Sequence, residues 1–183
     1  MAGRRFRQFG LEDHFILLES LEHWYAVRVR PRHEKSVFAQ LVSKEHDTFL
    51  PLYSARNKWA DRWKTLSLPL FPGYVFCRFD LSERRSVLTS FGVIDLVRTG
   101  PSPAPVANSQ LEAIRAAVGS SLVVEPWSGL AQGDRVIMTS GPLKGLTGRL
   151  LEVRKGLRLV LSVDLLHRSV VVEIDREWVA RME

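Results

Sequence analysis

Leu68-Pro69-Leu70-Phe71-Pro72-Gly73-Tyr74-Val75-Phe76-Cys77-Arg78-Phe79 is the stretch on which the fold turns. From Tyr74 to Phe79 the residues are β-branched, aromatic or thiol with one charge, a composition that suits a strand. Alternation sends Tyr74, Phe76 and Arg78 to one face and Val75, Cys77 and Phe79 to the other. A strand apolar on both faces belongs inside a sheet that is covered on both sides. Phe71 stands apart, between two prolines and ahead of a glycine, where a turn brings the chain to the surface. A large ring there is either a plug over the end of the sheet or an exposed anchor for a partner. General considerations favour the plug.

Working outward toward the N-terminus, Trp24-Tyr25-Ala26-Val27-Arg28-Val29-Arg30 alternates Val27 and Val29 with Arg28 and Arg30, a strand with one basic face that ends at Pro31. Val37, Phe38, Leu41 and Val42 recur at helical spacing and predict an amphipathic helix from His33 to about His46. Thr48 to Leu52 reads as a short strand. Tyr53 to Leu66 mixes Arg56, Lys58, Arg62 and Lys64 with Trp59 and Trp63 and offers no face to bury, so an exposed hairpin or loop is expected. Its tryptophans either stack on bases or form cation–π pairs with their neighbours. Residues 1–22 have no clean period and read as a poorly ordered arm.

Toward the C-terminus, Ser82 opens a short helix to about Ser90, and Val93 to Val97 is a strand. A turn-rich loop spans 100–105, and Ser109-Gln110-Leu111-Glu112 has the form of a capping box. In the helix that follows, Leu111, Ile114 and Val118 face the core and Gly119 is the stop. Residues 23–119 therefore read as one domain, a sheet with helices. Residues 120–130, with Pro126 and Gly129, read as a linker. The texture then changes: Arg135–Thr139, Gly148–Val153, Leu157–Val163 and Ser169–Ile174 are short strands between glycine-bearing turns, the pattern of a small all-β barrel over 131–183. The glycines around Lys144 are not a phosphate-cradling loop, since the Lys-Ser/Thr pair and following helix are missing.

The 183 residues are 45% hydrophobic and 25% charged, ordinary for a globular chain. No apolar run reaches membrane-spanning length and no signal peptide is read at the N-terminus, so a cytoplasmic location is expected. The single cysteine, Cys77, excludes internal disulfides and multi-cysteine zinc sites. Charge is uneven. Residues 23–119 hold 14 basic and 8 acidic groups, net +6, while residues 1–22 stand at −1 and residues 120–183 at +1. An excess confined to one segment points to a polyanion nearby, or to a solvated basic surface without a partner.

Two stretches carry a resemblance. Gly133-Asp134-Arg135-Val136 followed by Gly141-Pro142-Leu143-Lys144-Gly145-Leu146-Thr147-Gly148 resembles the KOW motif. Trp24-Tyr25 opening a β-α-β unit, with Leu70-Phe71-Pro72-Gly73-Tyr74-Val75 after it, resembles the NGN domain of the NusG transcription-factor family. In this order the two are specific for that family, over residues 23–183, and the basic 57–64 stretch is most similar to specialised antitermination paralogs of the UpxY and RfaH type. The resemblance implies an α+β architecture: an N-terminal NGN domain with an antiparallel sheet flanked by helices, linked to a small C-terminal KOW barrel. It implies a bacterial elongation or antitermination factor, a monomer without cofactor, that docks on the β′ clamp helices of RNA polymerase and suppresses pausing. The matching clamp-binding residues are Trp24, Phe71 and Tyr74, which reverses the reading of Phe71 to an exposed anchor. Arg30 and Arg32 match basic positions near upstream non-template DNA, and Lys58, Arg62 and Lys64 are added as basic neighbours. The KOW domain is implied to recruit ribosomal protein S10 or Rho.

A KOW-type RNA- or ribosome-binding protein is the alternative reading. An enzyme is not expected: His14, His23, His33, His46 and His167 lie at no metal-ligand spacing and no catalytic constellation appears. The β-branched C-terminal strands further predict that the KOW segment is a barrel in the whole chain rather than a helical hairpin, and that the two domains stand open with the clamp patch free.

Overall fold

The structure is a computed structural model and describes residues 22–59, 62–128, 133–153 and 156–182. The arm expected over 1–22 lies outside these residues except for Glu22. Strand β1 (His23–Val29) is central to the N-terminal sheet. It pairs antiparallel with β5 (Tyr74–Phe79) on one side and with β6 (Val93–Leu96) on the other, while β2 (Asp47–Phe49) flanks β5 and β9 (Pro105–Val106) also joins β1. β5 is thus interior, as its apolar alternation requires.

The two faces of β1 and β5 sort the core. Tyr25, Val27, Val29, Val75, Cys77 and Phe79 point to one side, where Val37 and Leu41 of α1 (Glu34–Ser43) and Val87 of α2 (Arg84–Leu88) cover them. Trp24, Ala26 and Phe76 point to the other, where Leu111 and Ile114 of α3 (Asn108–Gly119) pack. α3 starts one residue before Ser109, and Ala107 precedes it without a side-chain cap. The expected capping box is not formed. Glu112 instead accepts from Asn108 Nδ2 at 2.7 Å, a pair one turn apart on the exposed side. The short helix after β5 is likewise opened by Asp80, whose Oδ1 accepts from Ser82 N at 2.7 Å, not by Ser82 itself.

Between β2 and β5 the expected hairpin is present as β3 (Leu52–Trp59) and β4 (Arg62–Pro69), paired only with each other. The loop over 100–105 holds a two-residue ladder, β7 (Arg98–Thr99) with β8 (Ser102–Pro103), before β9 begins.

The C-terminal region is all-β: β10 (Val124–Trp127), β14 (Arg168–Ile174), β13 (Gly156–Val163), β12 (Thr147–Val153), β11 (Arg135–Met138) and β15 (Val179–Arg181), in that spatial order and antiparallel. β10 lies within the stretch expected as linker. Its pairing with β14 makes Val124 to Trp127 part of the sheet, with Pro126 tolerated because β10 is an edge strand. Leu157, Leu159 and Leu161 face Ile174, Val172 and Val170 across the strands and fill the inner side. Gly133 and Gly148 mark the places where the backbone comes too close for a side chain. A Cβ on Gly133 would lie 1.8 Å from the Leu150 carbonyl oxygen, and one on Gly148 2.8 Å from the Val160 carbonyl oxygen.

The two halves are not open. α3 packs against β13, and one apolar cluster runs from Trp24, Phe71 and Phe76 through α3 to the inner face of the C-terminal sheet. This overturns the expectation of a free patch. The other part of that expectation stands: residues of the C-terminal region are strands in the whole chain, and the face expected to be open is closed over by a β-sheet, not by a helical hairpin.

Candidate functional site

The turn before β5 is built by its sequence. Pro72 supplies the fixed φ and Gly73 the positive φ, +86°, of a type II turn closed by Tyr74 N donating to Phe71 O at 3.1 Å. Three further bonds hold this turn in place. Leu70 N donates to Pro51 O at 2.9 Å, Val29 N donates to Gly73 O at 2.9 Å, and Gly73 N donates to Oε1 of the buried Glu34 at 2.8 Å. So held, the Phe71 ring turns inward and meets Phe76 edge-on, with centroids 5.6 Å apart. Phe71 is 1% exposed and Trp24 5%. Neither is the exposed anchor that the family resemblance implied. Tyr74 is half-buried.

What lies over this aromatic group is cationic. Arg115 of α3 reaches both Trp24 and Phe49, with its guanidinium carbon 5.4 and 4.9 Å from the ring centroids. Arg168, the first residue of β14, stands 5.2 Å from the Tyr74 centroid and donates to Pro72 O at 3.2 Å. From the turn between β13 and β14, Asp164 accepts from Gln110 Nε2 at 2.7 Å, and Asp164 N donates to Gln110 Oε1 at 3.3 Å. These polar contacts gather at the β13–β14 turn and the start of β14, and within the turn Leu165 and Leu166 pack on the shared cluster. Neither Arg115, Arg168, Gln110 nor Asp164 stands out in the sequence. No spacing rule marks a pair 54 residues apart.

The basic residues fall on two elements. Arg30 and Arg32 are exposed on the turn that follows β1, Arg32 with φ of +67°. Lys64 is exposed on β4. The side chains of Lys58 and Arg62, like that of Trp59, lie outside the described ones. Beside Lys64, Trp63 is 62% exposed and carries Arg56 at 5.6 Å from its ring, the cation–π alternative for this hairpin.

The glycine-rich C-terminal motif is a folding element. Val136 is fully buried, Asp134 pairs with Arg181 Nε at 3.1 Å, and Arg149 Nη1 donates to Gly133 O at 3.1 Å. Gly141 and Gly145 take positive φ, +76° and +89°, while Arg135, Pro142 and Lys144 remain on the surface. Among the described residues no group of histidines, cysteines and acids could hold a metal ion, and no helix is long and apolar enough to cross a membrane. The thiol of Cys77 is buried, and burial pushes it up to about 12.

Comparison with known proteins follows the same division. The family model described as transcription termination factor nusG matches residues 22–115. The transcription termination/antitermination protein NusG of Deinococcus radiodurans is 30% identical over 129 residues, covering 61% of this chain and 68% of its own length. The protein of the same name from Thermus thermophilus is 26% identical over 124 residues, covering 61% and 67%. A solved structure titled Domain interaction in Thermotoga maritima NusG superposes with a TM-score of 0.55 at 21% identity, over 88% of this chain and 98% of that one, a likeness of fold. With the N-terminal sheet, the Phe-Pro-Gly-Tyr turn and the strand-rich C-terminal region in their expected order, this chain belongs to the NusG family of transcription termination and antitermination proteins.

Proposed function

We propose that the protein is a transcription elongation or antitermination factor that binds RNA polymerase through the aromatic face around Trp24, Phe71 and Tyr74 and recruits a second factor through its C-terminal domain. The observation that carries this reading is the family match over residues 22–115, the segment that holds this face and a net charge of +5 out of the chain's +6. In the closed molecule the face is occupied, so binding to the β′ clamp helices requires the β13–β14 turn to leave it. The groups that hold the turn are few and polar at the rim, which suits a contact that must be exchanged for another. Upstream non-template DNA is the polyanion that Arg30, Arg32 and the basic hairpin would meet, and ribosomal protein S10 or Rho is the partner of the C-terminal domain. Location in the cytoplasm goes with this role.

Capture of partners from a lysate on the immobilised full chain tests the reading. RNA polymerase recovered ahead of ribosomal subunits supports it. Ribosomal subunits recovered without polymerase would move the function to the RNA- or ribosome-binding alternative.

A further inference from the structure

A cleft of about 490 Å³ lies between the start of α3 and the outer face of β11, β12 and β13. Both halves of the molecule line it: Ser109, Gln110 and Glu112 come from α3, and Arg135, Arg149 and Ser162 from the C-terminal sheet. Arg135 and Arg149 stand directly opposite each other where β11 pairs with β12. Side chains at such a pair share one face of the sheet, with Cβ atoms about 5 Å apart, and two like charges there repel. Alternation agrees with this placement, since both arginines are exposed while Val136, next to Arg135, is fully buried. Elsewhere in the same sheet a cation at such a position is met by an acid. Arg158 of β13 stands opposite Glu173 of β14, and the two are paired at 3.0 Å.

Among the described residues no carboxylate relieves the Arg135–Arg149 pair. Asp134, next to Arg135 in sequence, turns to Arg181 Nε at 3.1 Å. The acids lining the cleft are engaged with amides: Glu112 accepts from Asn108 Nδ2 at 2.7 Å, and Asp164 accepts from Gln110 Nε2 at 2.7 Å. Arg149 Nη1 donates to Gly133 O at 3.1 Å. Among the described residues the Arg135 guanidinium has no hydrogen-bond or ion-pair partner. Two adjacent guanidinium groups present forked N–H donors that match phosphate oxygens, and a multiply charged anion between them turns a repulsion into two attractions. The cleft has the size of a small-molecule site. No aromatic side chain lines it, so it offers a nucleobase nothing to stack on, and the ligand it fits is a compact phosphate and not a nucleotide.

We propose that Arg135 and Arg149 bind a small phosphate-bearing anion of the size of pyrophosphate, in a cleft completed by α3 only when the two halves are closed. An anion held by both halves binds the closed arrangement better than an open one and so stabilises it. The site lies apart from the face proposed for polymerase, and its occupancy is measured without polymerase. The full chain is titrated with pyrophosphate, and with sodium sulfate at matched ionic strength, and followed by thermal melting, calorimetry and amide hydrogen exchange. Pyrophosphate is expected to raise the melting midpoint beyond the effect of sulfate. It is also expected to slow exchange both in β11 and β12 and at Phe71 to Tyr74, which closure covers. Arg135→Gln is expected to weaken binding about tenfold, and Arg135→Gln combined with Arg149→Gln to abolish it. Arg135→Glu places an acid opposite Arg149, so it is expected to melt above the wild type without any ligand and to ignore pyrophosphate. A rise no greater than that with sulfate would reduce the effect to an adventitious ion only and overturn the proposal. A response retained in the double variant would place the anion elsewhere and overturn it equally. Slowing of exchange confined to β11 and β12 would overturn the link to closure, and an unchanged midpoint in Arg135→Glu would remove the repulsion on which the site rests.

Discussion

Phe71 and Phe91 are each a large ring in a turn that also holds a glycine, and the fold treats them in opposite ways: Phe71 is 1% exposed and Phe91 67%. Phe71 is locked against Phe76 beneath the C-terminal domain, so its truncation is a core change. Phe71→Ala in the full chain is expected to cost about 3 kcal/mol, measured as a shift in the midpoint of urea unfolding at unchanged slope. A change within a few tenths of a kcal/mol would mean that the ring contributes little to the closed molecule. Cys77 offers a second test at this scale. Its thiol is raised from 9.0 to about 12 because the charged form would lose its hydration in the core. A raised value means that the folded state holds the proton longer than the unfolded chain. The contribution to stability is therefore complete below about pH 9 and declines as pH rises toward 12. The native thiol is expected to resist a thiol reagent at neutral pH and to react stoichiometrically once the chain is unfolded; rapid labelling of the folded protein would contradict its burial.

The β13–β14 turn and the start of β14 carry polar contacts between the two halves. Asp164 and Arg168 hold them to Gln110, Pro72 and Tyr74, while Leu165 and Leu166 pack into the apolar cluster. Gln110→Ala combined with Arg168→Ala removes the polar part, at about 1 kcal/mol for each hydrogen bond or cation–π pair, and leaves the apolar part. Amide hydrogen exchange at Phe71 to Tyr74 is expected to quicken in this double variant while exchange within β13 and β14 is unchanged. Equal quickening in the strands would mean that the substitutions unfold the sheet instead of releasing it. The turn of Phe71 to Tyr74 is itself fragile at one point. Gly73→Ala forces a Cβ into φ of +86° and is expected to destabilise by about 1 kcal/mol, with Gly73 N still able to reach Glu34.

At the scale of the whole molecule, the face proposed to bind polymerase is the one that closure covers. A factor whose binding-competent form is a minor fraction binds with an affinity reduced by that fraction. The opened double variant is therefore expected to bind purified RNA polymerase up to about tenfold more tightly than the wild type, with no new interaction added. Equal affinities would show that the closed arrangement does not gate binding. Because the apolar cluster is continuous through both halves, the wild type is also expected to unfold by calorimetry in one thermal transition. Two resolved transitions would mean that the domains are joined only at the surface.

Local pattern determined much of this protein on its own. The strand of Tyr74 to Phe79 has its two apolar faces because alternation is a property of adjacent residues, and the same holds for β1, α1, the exposed hairpin and the C-terminal strands. The Phe-Pro-Gly-Tyr turn and the glycine-rich motif were legible because proline and glycine set φ wherever they stand. Other features were not legible for the same physical reason in reverse. Ser109 has the right residues for a cap, yet backbone geometry begins α3 before it. Val124 to Trp127 looks like linker until β14 supplies the ladder. The direction of the Phe71 ring, the gathering of Arg115 over Trp24 and Phe49, and the reach of Arg168 to Pro72 depend on packing between residues far apart in the chain. Only tertiary structure decides whether a ring in a turn meets water or a neighbouring domain, because burial is a property of what comes to lie on top of it.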